Sequence, residues 1–233
     1  MANILLIGGC GYIGSRLFQV LNEEHAVDSV DIEWYGNFTS RFNIVKDFGQ
    51  LTKEEVEYYD VVILLAGHSG KKYFGLRFGT VNGASPNLRN DIMINAMTYN
   101  ALQNGKVFCF NPEVHRPILG IEDLCRAMKV IIEKGTHENS GLYNVASFNS
   151  TARQISEAVA KTTGAELEIV DTLPETITNV KLQTKAYNFL IDSTKFEEVF
   201  DFDFKETPTT IVQSIVEQFD NINKGNRSDA KLY

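Results

Sequence analysis

The sequence predicts an α/β protein with a doubly wound, mainly parallel sheet and a small C-terminal α/β portion. Short runs rich in Val, Ile and Leu alternate with segments whose apolar residues repeat at helical spacing, which is typical of a sheet covered by helices. The run DVVILLA at residues 60–66 is apolar almost throughout, as expected for a parallel strand buried on both faces. A glycine-rich turn, GGCGYIG, joins the first apolar run to the first helical segment.

The N-terminal part begins with a strand, a turn and a helix. Asn3 to Ile7 form the first apolar run, and Ile13, Leu17 and Leu21 then repeat on one helical face. β-branched and leucine-rich runs predict further strands at residues 26–31, 41–45, 60–66 and 73–81.

Four helices are predicted in the rest of the chain. Their ends carry residues that commonly start or stop helices, since Gly is favoured after the last turn and Pro in the first. The helices are expected at residues 92–103, at 121–134 before Gly135, at 150–163 before Gly164, and from Pro208 onwards after the cap residue Thr207. Residues 224–233 are polar and predict a flexible tail.

Composition and charge exclude several classes of protein. The chain has 233 residues, of which 43% are hydrophobic and 22% charged, and this suits one large or two small domains with a real core. Its net charge of −8 and the lack of Lys/Arg runs longer than two argue against nucleic acid as a partner. No apolar run is long enough for a bilayer, and the N-terminus lacks a leader pattern, so no membrane contact and a cytoplasmic location are expected.

The cysteines indicate reduced thiols. Cys10, Cys109 and Cys125 are odd in number and lack Cys-x-x-Cys spacing. They are therefore expected to be small core residues, and no metal site is predicted.

The glycine turn predicts a dinucleotide site. Gly8, Gly11 and Gly14 follow a strand and open an amphipathic helix, and Asp31 ends the next strand. Glycine allows the backbone to turn tightly and to approach a pyrophosphate, whose charge is stabilised by the N–H groups and dipole at the helix start. Asp31 would accept hydrogen bonds from the adenosine ribose and repel a 2′-phosphate, which favours NAD over NADP.

With these residues, the sequence resembles the extended short-chain dehydrogenase/reductases, specifically the NAD-dependent nucleotide-sugar epimerases and dehydratases. GGCGYIGSRL is similar to the family's glycine motif, VVILLAG to its fourth strand, and IVKDFGQL to the segment that faces the adenine. The resemblance implies a Rossmann-like domain. It also implies cofactor contacts from Gly8, Gly11, Tyr12, Ile13, Gly14, Asp31, Ile32, Asp47, Phe48, Leu65, Ala66 and Gly67.

The resemblance extends to the substrate region. HRPILGIEDLCRA is similar to the family segment whose arginine holds the nucleotide phosphates, and this places Arg116 in that role for a UDP- or GDP-linked sugar. The NAD-binding domain would comprise residues 1–82 and part of 106–150. Residues 83–105 and 150–223 would form the small substrate-binding portion.

The family's catalytic pair is missing from this sequence. In the family, a Tyr-x-x-x-Lys pair and a Ser or Thr move the proton while hydride passes to the nicotinamide. None of the nine tyrosines is followed by lysine four residues later, and no catalytic residue is assigned. The short stretch between the strands at 60–66 and 73–81 stands where the family has a larger insertion, so the sheet is expected to be truncated in the middle.

The length of this stretch limits the path of the chain. Gly67 to Lys72 are six residues, whereas a parallel crossover generally needs about 10 to 12. The strand at 73–81 should therefore not join the preceding one by a local parallel crossover. It would run antiparallel, exchange with a second subunit in an oligomer, or be connected by residues that this sequence lacks.

Three functions remain open at this stage. The first is an epimerase- or dehydratase-type protein that binds NAD and a nucleotide sugar with impaired catalysis. The second is a non-catalytic NAD-binding regulatory or scaffold protein. The third is an internally deleted or incomplete form of an active enzyme.

Overall fold

The computed structural model describes residues 1–33, 36–37, 43–65, 73–171 and 188–220. The strands are β1 (Asn3–Ile7), β2 (Ala26–Asp31), β3 (Ile44–Val45), β4 (Val61–Leu64), β5 (Phe74–Phe78), β6 (Thr80–Asn82), β7 (Lys106–Phe110), β8 (His115–Gly120), β9 (Gly141–Val145), β10 (Phe148–Thr151) and β11 (Glu166–Val170). The helices are α1 (Tyr12–Leu21), α2 (Lys53–Glu57), α3 (Met93–Asn104), α4 (Ile121–Lys134), α5 (Ala152–Thr163), α6 (Thr194–Phe200) and α7 (Pro208–Gln218).

The N-terminal sheet is parallel and has the order β3-β2-β1-β4. The central strand β1 is flanked on both sides, with Ile4 opposite Val27 on β2 and opposite Val61 on β4. A parallel sheet whose strands are joined by helices is the α/β, Rossmann-like fold that the sequence predicts.

Successive side chains of β1 point to opposite faces of the sheet, and both faces are packed. Ile4 and Leu6 belong to a core with α1 and Cys125 of α4. Leu5 and Ile7 belong to a second core on the other face. That face carries the short helix α2 and a cavity of about 220 Å³, lined by Leu5, Val30, Ile44, Leu51, Glu55, Tyr58 and Tyr59.

The strand predicted at residues 73–81 is in fact two strands. β5 pairs in parallel with β9, whereas β6 pairs in parallel with β8, so the single-strand prediction was wrong. The break falls at Gly79, whose N–H donates to the Val145 carbonyl (2.9 Å). A Cβ at Gly79 would lie 2.9 Å from the Pro117 carbonyl oxygen, so glycine is needed where the chain passes from one partner strand to the next.

The strands on either side of the short connection belong to different pairings. β4 bonds to β1 and β5 bonds to β9, and no pairing between β4 and β5 occurs in the part of the chain that the structure describes. β5 instead pairs in parallel with β9 of the same chain, an arrangement that the predicted alternatives did not name. The connection itself, which includes Ala66 and Gly67, lies outside the described residues.

The predicted helix ends agree with the structure within one or two residues. Gly164 follows α5 in the left-handed conformation, and Thr207 caps α7 with Pro208 in its first turn. The third strand is shorter than predicted, because residues 44–45 alone are paired within the described part of 41–45. The predicted tail at 224–233 lies outside the described residues.

One large core joins the elements that follow the first sheet. It includes Val81 of β6, Leu119 of β8, Leu124 of α4, Ile155 of α5 and Ile211 of α7. Residues from both the predicted NAD-binding domain and the predicted substrate-binding portion thus contribute to one apolar core.

The three cysteines are buried, at 2% exposure or less, and none forms a disulfide. Within the described ranges, no group of three His, Cys, Asp or Glu residues is arranged to hold a metal ion. In the same ranges, no helix has both the length and the apolar character needed to cross a membrane.

Candidate dinucleotide-binding site

The glycine turn between β1 and α1 has the conformation and close packing that require glycine. Gly8 has a φ of +87°, which L side chains rarely adopt, and its N–H donates to the Val30 carbonyl of β2 (2.8 Å). A Cβ at Gly14 would lie 2.0 Å from the Gly8 carbonyl oxygen, so only glycine lets α1 approach the turn this closely. A Cβ at Gly11 would lie 3.3 Å from the same oxygen, a much milder contact.

The start of α1 is open to an anion. Gly11 is the N-cap residue, and no side chain caps the helix there. The first N–H groups of a helix have no partners within it, and the helix dipole favours negative charge at this end. Tyr12, Ile13 and Gly14, which the sequence assigns to the cofactor, form this first turn.

Asp31 lies beside the glycine turn, at the end of β2. Its Oδ2 accepts a hydrogen bond from the Cys10 N–H (3.0 Å), and its Oδ1 accepts one from the Glu33 N–H (2.8 Å). Each carboxylate oxygen can accept a further hydrogen bond, so the group is fixed in place and still able to bind hydroxyls.

A buried pair of polar side chains, Asn43 and Ser29, holds the backbone at Asp31. Asn43, 6% exposed, donates from Nδ2 to the Asp31 carbonyl (3.1 Å) and to Glu33 Oε1 (3.0 Å). Ser29, 2% exposed, donates to Asn43 Oδ1 (2.8 Å). A Cβ at Gly9 would lie 2.1 Å from Ser29 Oγ, so this network packs directly under the glycine turn.

A second polar network reaches the turn from the segment after β6. Ser85 Oγ donates to the Tyr12 carbonyl (2.6 Å), and Asn87 Nδ2 donates to the Cys10 carbonyl (3.0 Å). Ser85 and Asn87 are buried, so the contacts are shielded from water. The pattern NGASPNLRND at residues 82–91 is typical of a loop, and nothing in it indicates that these side chains turn inward.

Tyr12 extends the same network. Its hydroxyl donates to the Gly83 carbonyl (2.8 Å) and accepts from Asn95 Nδ2 (3.1 Å), while Asn95 Oδ1 accepts from the Gly83 N–H (2.9 Å). Burial raises the pKa of Tyr12 above its ordinary value, so the phenol stays protonated at neutral pH. Tyr12 therefore positions the turn and does not act as a base.

The thiol nearest the turn is also unreactive. Burial raises the pKa of Cys10 to about 12, and the charges of Asp31 and Glu33 contribute in the same direction. A thiol that remains protonated is a poor nucleophile. Cys10 therefore contributes its backbone groups to the site rather than its sulfur.

The residues predicted to lie around the adenine are at the rim of the site. The Lys46 N–H contacts the Asp31 carbonyl (3.4 Å), and the next residue, Asp47, starts a short 3-10 turn by accepting from the Gly49 N–H (2.8 Å). Ile32 is 40% exposed and Phe48 is 49% exposed, so both offer apolar surface at the protein boundary.

On the other side of the turn, Leu65 continues β4. Its N–H donates to the Ile7 carbonyl (3.1 Å), and its Cβ lies 3.4 Å from the position of a Cβ on Gly8. Leu65 is thus adjacent to the glycine turn. Ala66 and Gly67 lie outside the described residues.

Arg116 lies on a different sheet from the glycine turn. It is half-buried on β8, opposite Ser150 of β10, and its guanidinium donates to the His115 carbonyl (3.1 Å). The guanidinium carbon lies 5.9 Å from the centre of the Phe189 ring. The structure therefore groups most of the predicted cofactor residues in one region and places Arg116 in another.

No protein-family model matches this chain. Solved structures do match over nearly the whole chain. A dTDP-glucose 4,6-dehydratase from Bacillus anthracis, in complex with NAD, is 16% identical with a TM-score of 0.73, and the match covers 97% of this chain and 100% of that one.

Two further structures match similarly. A UDP-glucuronic acid 4-epimerase from Bacillus cereus, in complex with UDP-glucuronic acid and NAD, is 15% identical with a TM-score of 0.71, over 94% and 99% of the two chains. An L-threonine dehydrogenase from Phytophthora infestans is 13% identical with a TM-score of 0.72, over 94% and 99%. Identities this low show a shared fold. The chain thus shares the fold of this dehydratase, this epimerase and this dehydrogenase.

Proposed function

We propose that this protein binds NAD at the glycine turn, binds a nucleotide sugar at Arg116, and lacks efficient redox turnover. One observation supports the NAD site above the others. The Asp31 carboxylate is hydrogen-bonded to the backbone of a turn in which Gly14 packs against Gly8. A helix start without a side-chain cap and a carboxylate thus lie side by side, and this supports a dinucleotide site, which needs such an arrangement.

The residues present fit the cofactor. The pyrophosphate would lie against Gly11 and the first N–H groups of α1, where a Cβ would obstruct its approach. Asp31 would accept the ribose hydroxyls. Ile32, Asp47 and Phe48 would surround the adenine, and Leu65, Ala66 and Gly67 are also assigned to the cofactor.

Arg116 supports the choice of substrate. Its guanidinium is permanently charged and can bind phosphate oxygens in pairs, which suits the diphosphate of a UDP- or GDP-linked sugar. The dehydratase and the epimerase with similar folds act on dTDP-glucose and UDP-glucuronic acid, as their names state. The threonine dehydrogenase shares the fold equally well, so the proposal for a nucleotide sugar rests on Arg116 rather than on the fold.

Bound NAD would supply hydride acceptance and return, and the chain would have to move the proton. The sequence contains no Tyr-x-x-x-Lys pair. The Tyr12 hydroxyl is hydrogen-bonded to the Gly83 carbonyl and to Asn95, and the Cys10 thiol stays protonated. Among the residues that the structure describes around the turn, no side chain is an evident base for this proton, which favours binding over turnover.

Calorimetry with NAD, followed by turnover assays with dTDP-glucose and UDP-glucuronic acid, tests the proposal. We expect NAD to bind and the sugars to be left unchanged. No heat with NAD at millimolar concentration would refute the cofactor site. Conversion of either sugar at ordinary enzyme rates would refute impaired catalysis, and the intact mass of the natural protein would then show whether it has more residues between Gly67 and Tyr73.

A further inference from the structure

We propose that Glu33 is a second cofactor-selecting residue, whose carboxylate acts with Asp31 to exclude a 2′-phosphate on the adenosine ribose. This inference rests on the proposed NAD site. The sequence motif identifies Asp31 alone, whereas the structure places a second carboxylate next to it.

The backbone holds Glu33 against Asp31. Glu33 has a φ of +56°, and its N–H donates to Asp31 Oδ1 (2.8 Å). The chain therefore turns sharply immediately after β2, so Glu33 stays beside the end of that strand instead of extending away from it.

The side chain of Glu33 is held as well. Its Oε1 accepts from Asn43 Nδ2 (3.0 Å) and from Asn37 Nδ2 (3.2 Å). The same Asn43 nitrogen donates to the Asp31 carbonyl (3.1 Å), so one buried amide joins the two acidic residues. Both of these donors are neutral, and they position the carboxylate without cancelling its charge.

The charge of Glu33 acts on the thiol of Cys10, which lies in the glycine turn. After burial, Asp31 and then Glu33 are the causes that raise the pKa of the Cys10 thiol. Cys10 lies within the turn and donates its N–H to Asp31 (3.0 Å). A ligand phosphate near Asp31 would thus meet the field of two carboxylates.

Two charges discriminate more strongly than one. A ribose hydroxyl is neutral and is not repelled by the two carboxylates. A 2′-phosphate carries close to two negative charges and is repelled by each carboxylate. At separations of several ångströms and the effective dielectric of a protein surface, one additional unit charge changes the affinity for such a phosphate by about tenfold. Salt should weaken this effect, because Asp31 and Glu33 are both partly exposed.

The test is calorimetry with NAD and NADP on four variants. Glu33→Gln keeps the oxygen that accepts from Asn43 and removes the charge, so the fold is preserved. Asp31→Asn provides a background in which NADP binding is easier to measure. Comparing it with the double variant shows the effect of Glu33→Gln in that background. Glu217→Gln, on the exposed face of α7, is a control with the same change in net charge.

We expect Glu33→Gln to strengthen NADP binding about tenfold, alone and in the Asp31→Asn background, while NAD affinity changes less than about twofold. Glu217→Gln should change neither. If Asp31→Asn admits NADP and adding Glu33→Gln changes nothing, the role of Glu33 is refuted and the NAD site stands. If the unmodified protein binds neither cofactor, the proposed function fails and this inference fails with it.

Discussion

The glycine turn and the Arg116 region differ in how many parts of the chain hold them. At the turn, Gly8 and Gly14 are fixed by backbone contacts, and two buried side chains from the segment after β6 donate to the carbonyls of Cys10 and Tyr12. Arg116 is a single half-buried side chain on one strand. The comparison teaches that a site defined by backbone geometry can be predicted from a motif, whereas one defined by a long side chain needs a functional test.

The largest expected effect comes from Gly14→Ala, in the region fixed by backbone. The new Cβ would overlap the Gly8 carbonyl oxygen, so α1 must shift away from β1. We expect a loss of about 3 kcal/mol or more in the free energy of unfolding and no detectable NAD binding. Urea denaturation and calorimetry measure the two effects.

Gly11→Ala separates binding from folding in the same turn. Gly11 has a φ of −69°, and its new Cβ would meet only the Gly8 oxygen, at 3.3 Å. Stability should change by about 1 kcal/mol or less, while NAD binding weakens more than about tenfold because the Cβ obstructs the pyrophosphate. Unchanged NAD affinity in Gly11→Ala would contradict the proposed position of the phosphates.

The same contrast explains what the sequence could predict. The first sheet, α1 and the glycine turn follow from local patterns, because apolar periodicity and the steric needs of glycine are properties of neighbouring residues. The split at Gly79 was missed, because it depends on Pro117 and Val145, which are distant in sequence. Ser85 and Asn87 were missed for a similar reason, since short polar residues indicate turns but not which way their side chains point.

The two regions meet near a pair of acids, the buried Asp123 and the half-buried Glu206. Glu206, in the chain before α7, accepts from the N–H groups of Glu122 (2.9 Å) and Asp123 (3.1 Å) at the start of α4. Asp123 in turn accepts from the N–H groups of Lys205 and Glu206 and from Ser147 Oγ (2.7 Å). β8, which carries Arg116, leads directly into α4. Glu122 of α4 accepts from the guanidinium of Arg16 on α1, the helix that follows the glycine turn, so α4 contacts both regions.

The third prediction is a pH dependence at this junction. Burial raises the pKa of Glu206 from 4.5 to about 7, with the charge of Asp123 acting in the same direction. A carboxyl whose pKa is raised on folding stabilises the protein at low pH, and this contribution is lost as the pH rises through about 7. As the pH rises from 5.5 to 8, ionisation of Glu206 should lower the free energy of unfolding by about 2 kcal/mol.

Glu206→Gln keeps an oxygen for the two N–H groups and removes the titration. We therefore expect it to abolish this part of the pH dependence, as measured by urea denaturation across the same range. Glu198→Gln, an exposed position on α6, is the matched control and should retain the wild-type profile. Identical profiles for Glu206→Gln and wild type would show that Glu206 is already ionised at pH 5.5.

The smallest expected effect is at Arg116, and it decides whether the second region is a binding site at all. Arg116→Ala should leave stability within about 0.5 kcal/mol, because the side chain is only half-buried. UDP binding should weaken about tenfold, as expected for the loss of a charge-assisted pair of hydrogen bonds, with NAD affinity unchanged.

Arg116→Lys distinguishes the geometry of the guanidinium from its charge. A lysine keeps the positive charge and loses the planar fork that matches two phosphate oxygens. UDP binding by Arg116→Lys should therefore lie close to that of Arg116→Ala if paired hydrogen bonds hold the diphosphate. Recovery of full affinity with lysine would indicate attraction by charge alone, and equal UDP affinity in wild type and both variants would leave the NAD region as the binding site and Arg116 as a surface residue.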